Sequence, residues 1–202
     1  QQTSQKFPPT QASLSNSSGV PTMNLRPLIA VVALAATVPA SANLPEGAAA
    51  PAFATQGAKG GKAFAFNMRA ALSKGPLVLY FYPKAFTKGC TLEAKAFADA
   101  TPEFAAAGAT VVGMSADDLP TLQKFSTEAC RDQFAVAIAT PAIIKAYNVN
   151  LRIAGVSTGL TTRTSYVIDQ DGRVRFVHSE MDFKDHVRLT LEAVKKLRNE
   201  KR

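Results

Sequence analysis

Leu77-Val78-Leu79-Tyr80-Phe81-Tyr82-Pro83-Lys84-Ala85-Phe86-Thr87-Lys88-Gly89-Cys90 is the stretch on which the reading of this chain turns. Residues 77–82 form a continuous apolar run closed by Pro83, as in a strand buried on both faces in the middle of a sheet. Residues 91–107 contain Ala and Glu without internal Gly and are stopped by Gly108. They predict a helix, with Pro102 as a kink or break. Cys90 therefore falls at a helix N-terminus. Unpaired backbone N–H groups and the positive end of the helix dipole favour an anion there. A thiol in such a place ionises more readily, its pKa falling from ~8.5 into the range ~3.5–7.5, and the thiolate is a nucleophile. Thr87, three residues earlier, carries a hydroxyl that can donate to or accept from whatever sits over the sulfur. Pro83 has no N–H and is expected to shield the sulfur on one side.

Outward from this stretch, Thr110–Met114 reads as a second buried strand. Asp117 and Asp118 supply an N-cap for a helix running to about Arg131. Phe134–Ile138 reads as a third strand, and Thr140-Pro141 opens a short helix to Tyr147. Thr164–Ile168 and Val174–Val177 predict a hairpin around Asp171-Gly172. Asp182 is expected to cap a last helix over about 184–198, with Asp185 early and basic residues late. Strands alternating with helices, then a hairpin and a final helix, predict an α/β fold with one mixed central β-sheet flanked by helices. The order β-α-β-α-β followed by β-β-α resembles that of a thioredoxin-like fold.

The first 42 residues read differently. Residues 1–22 are rich in Gln, Ser, Thr and Pro, carry the single charge Lys6, and have the composition of a disordered segment that need not be translated. Met23 opens a three-part pattern over 23–42. It comprises a short region with Arg26, the apolar run Leu28–Ala36, and small residues at Ala40 and Ala42. This is the order of a secretory signal, and the run is short for a membrane span. The expected folded domain is 43–202. An exported protein would meet an oxidising compartment such as a bacterial periplasm, where a disulfide can persist.

The 202 residues carry a net charge of +8. The charges are scattered, without a stripe or an aromatic-interleaved patch, so no nucleic-acid partner is expected. Two cysteines are too few for a disulfide framework or a structural zinc site. His178 and His186 lie eight apart with no ligand cluster, so no metal is expected and surface or packing roles are their default. Gly57–Lys62 lacks the spacing of a phosphate-binding loop and reads as a flexible turn.

Pro83, Thr87 and Cys90 match the P-x-x-x-T-x-x-C motif of the peroxiredoxins, the AhpC/TSA family. The segment Gly47-Ala48-Ala49-Ala50-Pro51-Ala52-Phe53 resembles the family's opening G-x-x-A-P-x-F, and Glu93 resembles the glutamate of its bacterioferritin-comigratory (Q-type) branch. Arg163-Thr164-Ser165-Tyr166-Val167-Ile168-Asp169 is similar to the segment bearing the family's active-site arginine. The resemblance covers about residues 44–195. It implies a thiol-dependent peroxidase acting on hydrogen peroxide and organic hydroperoxides. Cys90 would be the peroxidatic cysteine, with Thr87, Arg163 and the Cys90 N–H stabilising charge on the peroxide oxygens, and no cofactor. It further implies a thioredoxin-like dithiol reductant and a monomer, while the signal pattern over 23–42 implies no stable membrane insertion after cleavage.

Many Q-type members place a resolving cysteine five residues after the peroxidatic one, where this chain has Lys95. Other members carry it on the following helix, and by that resemblance an intramolecular Cys90–Cys130 disulfide is implied. Two helices would have to loosen for the thiols to meet. The residues alone leave open a second reading, in which Cys130 is a small buried hydrophobe beside Leu122, Phe125 and Ala129. In that case the enzyme would use an external thiol. A thiol–disulfide oxidoreductase or a redox chaperone on the same fold are the remaining alternatives. The first needs a second cysteine three residues from Cys90, where Thr87 and Glu93 stand instead.

Overall fold

The computed structural model describes residues 43–200. The segments 1–22 and 23–42, with their expected disorder and secretory signal, lie outside the described residues.

The apolar run becomes strand β3, Leu77–Phe81, buried at every position. It joins strands β1 (Ala54–Lys59), β2 (Lys62–Asn67), β4 (Thr110–Ser115), β5 (Ala135–Ile138), β8 (Thr164–Ile168) and β9 (Val174–Ser179) in one sheet. The order is β2-β1-β5-β4-β3-β8-β9. The three strands β3, β4 and β5 run parallel, and the pairs β1–β2, β1–β5, β3–β8 and β8–β9 are antiparallel. Side chains alternate across the sheet with a period of two. Val78, Tyr80 and Tyr82 point to one side, where helices α2 (Lys88–Ala106), α3 (Leu119–Glu128) and α5 (His186–Glu200) pack. Leu77, Leu79 and Phe81 point to the other, under α1 (Met68–Leu72) and α4 (Pro141–Ala146). The expected fold is thus present as three layers around a mixed sheet. A separate hairpin, β6 (Asn150–Ile153) with β7 (Val156–Thr161), stands outside it.

Several local expectations are corrected. Pro102 does not break α2, which continues through it for a turn. Only one backbone bond is forfeited there, and the Thr101 hydroxyl donates to the Phe97 carbonyl one position earlier. Helix α3 ends at Glu128 rather than about Arg131, because Arg131 and Asp132 both turn left-handed, at φ 49° and 61°. Cys130 therefore lies past the helix, in a turn. Asp118 alone caps α3, accepting from the Thr121 N–H, while Asp117 points elsewhere. The turn at Gly57–Lys62 narrows to Gly60-Gly61, whose positive φ values fit the tight link between β1 and β2.

Candidate active site

The sheet places the site. β3 pairs parallel with β4 on one side and antiparallel with β8 on the other, so its C-terminal end lies beside the N-terminal end of β8. The register sets Phe81 opposite Thr164. Arg163, the residue before Thr164, is thereby carried to the loop that links β3 to α2, although 73 residues separate it from Cys90. The Thr161 hydroxyl donates to the Tyr82 carbonyl at 2.7 Å and closes the same corner.

Cys90 occupies the first turn of α2 and is 1% exposed. The first intrahelical bond runs from the Thr91 N–H to the Thr87 carbonyl, so the preceding N–H groups, that of Cys90 included, have no acceptor within the helix. Thr87 stands at the N-cap position, yet its hydroxyl makes no capping bond; it donates to the Lys84 carbonyl at 3.0 Å. Its oxygen lone pairs face away from that bond and are left for another partner. Phe86 adopts φ 64°, a conformation that costs a non-glycine residue roughly 1 kcal/mol. Its ring meets Phe125 edge-on at 5.2 Å and remains 45% exposed. The loop is held from outside by Asp117, whose Oδ2 accepts from the Ala85 N–H and from the Ser115 hydroxyl, both at 2.8 Å.

Arg163 is buried and uses three nitrogens. Nη2 donates to Cys90 Sγ at 3.5 Å, Nη1 pairs with Glu93 Oε2, and Nε donates to the Met181 carbonyl at 2.9 Å. The planar fork is fixed in position and angle, with one arm on the sulfur. Glu93 is fully buried in α2. Burial pushes its carboxyl from the usual 4.5 up to about 8, against the pull of Arg163. Gly89 lies under the guanidinium, where an added Cβ would sit 3.2 Å from Arg163 Nη2.

The structure thus brings Thr87, Cys90, Glu93 and Arg163 together, with Pro83 half-buried at the start of the same loop. Cys130 stands apart from this polar group. It is fully buried among Leu122, Phe125, Ala129 and Phe134, and burial drives its thiol pKa well up. Both cysteines are free thiols. They share one face of the sheet, and Tyr80 and Tyr82 are within electrostatic reach of each.

Sequence reasoning missed four contributors: Gly89, Asp117, Ser165 and His186. Of the surface or packing roles expected for it, His186 takes the buried one, at the start of α5, bonded to Ser165 and to the Glu180 carbonyl. The dipeptide Asp117-Asp118 held a signal in that one carboxylate suffices for a cap. Nothing local marks His186. A groove of about 490 Å³ lined by Phe64, Phe66, Ala105 and Phe134 lies at the opposite end of the parallel strands and touches neither cysteine.

Comparison with known proteins gives a consistent picture. The AhpC/TSA family matches residues 47–177. The chloroplastic peroxiredoxin Q of Suaeda salsa is 32% identical over 158 residues, covering 77% of this chain and 70% of that one. Peroxidoxin BcpB of Mycobacterium tuberculosis superposes with a TM-score of 0.66 at 30% identity, over 76% of this chain and 98% of that one. The bacterioferritin comigratory protein of Xanthomonas campestris, whose structures concern alkyl peroxide reduction, superposes with a TM-score of 0.63 at 26% identity, over 71% of this chain and 91% of that one.

Proposed function

This chain belongs to the AhpC/TSA family and is a thiol-dependent peroxidase of the peroxiredoxin kind; from that premise we propose that Cys90 reduces hydrogen peroxide and organic hydroperoxides and that Cys130 resolves the product. The observation that carries the first part is the Arg163 guanidinium fixed on Cys90 Sγ at a helix N-terminus. The Cys90 thiolate attacks one peroxide oxygen in line, and the O–O bond breaks. The other oxygen takes a proton and leaves as water or alcohol. Negative charge grows on both oxygens as the bond stretches. Arg163 and the Cys90 N–H are the donors within reach, already oriented in a site of low exposure, where such stabilisation is strongest, and the Thr87 hydroxyl oxygen, its hydrogen given to Lys84, is left to accept from the peroxide O–H. Pro83 shields the sulfur, and Glu93 holds the guanidinium. The exposed Phe86 and Met181 beside these groups, 45% and 53% exposed, favour organic hydroperoxides along with hydrogen peroxide.

The Cys90 sulfenic acid then condenses with the Cys130 thiol, forming the disulfide and releasing water. For this the turn after α3 must open, since Cys130 is fully buried. Its two left-handed residues and the short helix end make it the weaker partner to unfold. A dithiol of the thioredoxin kind restores both thiols. The enzyme acts as a monomer exported by the segment 23–42. N-terminal sequencing of the native protein tests export, with Asn43 as the expected first residue.

The test of the reaction is second-order loss of hydrogen peroxide and of an alkyl hydroperoxide with purified protein. A rate no faster than that of free cysteine sinks the peroxidase reading. Mass spectrometry after one equivalent of peroxide tests the resolution. A disulfide in the native chain and a sulfenic acid in Cys130→Ser are expected; normal turnover of Cys130→Ser with thioredoxin would rule Cys130 out.

A further inference from the structure

The two oxygens of Glu93 are treated differently. Oε2 is paired with Arg163, while Oε1 is buried without a hydrogen-bond partner among the described residues. The group facing Oε1 is Nδ1 of His186, at 3.8 Å. The tautomer of that ring follows from its bonds. Nε2 lies 2.9 Å from the Glu180 carbonyl, which only accepts, so Nε2 carries the hydrogen. Nδ1 then presents a lone pair, to which the Ser165 hydroxyl donates at 2.8 Å. A lone pair facing a carboxylate oxygen is repulsive. The same lone pair facing a carboxylic acid is a hydrogen-bond acceptor. One side of Glu93 is therefore built for the anion and the other for the acid.

Arg163 is also shared. It is the cation that touches both Glu93 and Cys90, and a single guanidinium cannot compensate two buried anions equally. The other groups around the pair are Tyr80 from β3, whose phenol burial keeps protonated, and His178 from β9, its ring 4.5 Å from that of His186. The loop before α5 adds Asp182, within electrostatic reach of both His186 and Arg163, and Glu180, which faces the site through its carbonyl.

We propose that Cys90 ionises by exchange with Glu93: as the Cys90 S–H bond breaks, an O–H bond forms at Glu93 Oε1, and His186 Nδ1 accepts the hydrogen bond of the new hydroxyl. The positive charge of Arg163 is matched by one negative charge before and after, so the buried group stays neutral throughout. Ser165 turns its hydroxyl away to free the lone pair, and a movement of about 1 Å brings Oε1 and Nδ1 to bonding distance. When the peroxide is cleaved, the displaced oxygen leaves protonated and Glu93 returns to the carboxylate that Arg163 holds. Burial supports both ends of this exchange, raising Glu93 to about 8 and lowering His186 to about 4, so that the ring is a neutral acceptor. The inference rests on Cys90 being the nucleophile, but its tests need no peroxide. His186 is a positioning residue in this scheme.

Infrared difference spectra of the reduced full chain near neutral pH read the first step. The C=O stretch of a protonated carboxyl is expected in the native protein, lost in Glu93→Gln and weakened in Cys90→Ser. Its absence from the native protein, or equal strength in Cys90→Ser, would overturn the exchange. The pH profile of Cys90 alkylation by iodoacetamide reads the second. His186→Leu is expected to move it upward by about one pH unit, the worth of one hydrogen bond, and His186→Asn, which keeps a polar atom where Nδ1 stands, to restore most of it. Identical profiles for the two variants, whether both shifted or both native, would reduce His186 to packing. Loss of peroxidase activity with these readouts intact would instead count against the peroxidase reading.

Discussion

Cys90 and Cys130 are both buried thiols on the same face of the same sheet, and their surroundings have little else in common. Cys90 has unpaired N–H groups beneath it, Arg163 on its sulfur, and a carboxylate and a loop aspartate holding those parts in place. Cys130 has aromatic and aliphatic neighbours, no cation on its sulfur among the bonds of the described residues, and a left-handed turn directly after it. Burial by itself suppresses ionisation, as it does at Cys130. Fixed donors turn a buried cysteine into a reactive one. The difference also divides the labour of a two-thiol cycle: a rigid site for the chemistry and a loosely terminated helix for the movement.

The largest expected effect is on Cys90 itself. Cys90→Ser should lower the second-order rate with hydrogen peroxide by at least ~10³-fold, as seen by stopped-flow, because a serine hydroxyl is a far weaker nucleophile than a cysteine thiolate. If the donors matter as argued, Arg163→Leu should cost about 10²–10³-fold in the same assay, the usual worth of one preorganised donor. Cys130→Ser should leave that first oxidation within about twofold, yet reduce steady-state turnover with thioredoxin by about tenfold or more. An equal loss in both assays would erase the contrast between the two cysteines. Gly89→Ala pushes a methyl group against a guanidinium held at three points, and a loss of about three- to tenfold in rate with near-native melting is expected.

The smallest effect is on stability. Glu93 is raised to about 8 in the folded state, but the proton it holds comes from Cys90, so between its ordinary 4.5 and about 8 the pair carries one proton folded or unfolded and adds no pH dependence. His186, lowered from 6.5 to about 4, binds fewer protons when folded, and its contribution grows with pH from about 4 to 6.5. Denaturant titrations should show stability rising between about pH 4 and 6.5, and His186→Leu should flatten that rise.

Much of this was legible in the chain. The run 77–82, Gly108 and the periodic segments placed β3 and α2, because short-range steric and hydrophobic patterns act within a few residues. The end of α3 was misplaced by about three residues, since the left-handed turn at Arg131-Asp132 has no Gly to announce it. The pair β1–β2, α1 and the hairpin β6–β7 have weaker periodicity and were not anticipated.

The reactive cysteine at a strand-to-helix junction and its companion Thr87 were legible in the sequence alone, as was Arg163 just ahead of a buried strand, through the family resemblance. Local propensity places a residue on its element. The tertiary structure decided which atoms meet. The register of β3 against β8 carried Arg163 to the sulfur across 73 residues, and the packing of α5 set His186 behind Glu93. Such meetings depend on strand pairing and helix packing between distant segments, for which no single stretch of chain holds the information. Cys90 could therefore be picked out from its neighbours in sequence, but the proton partner proposed for it could be picked out only from its neighbours in space.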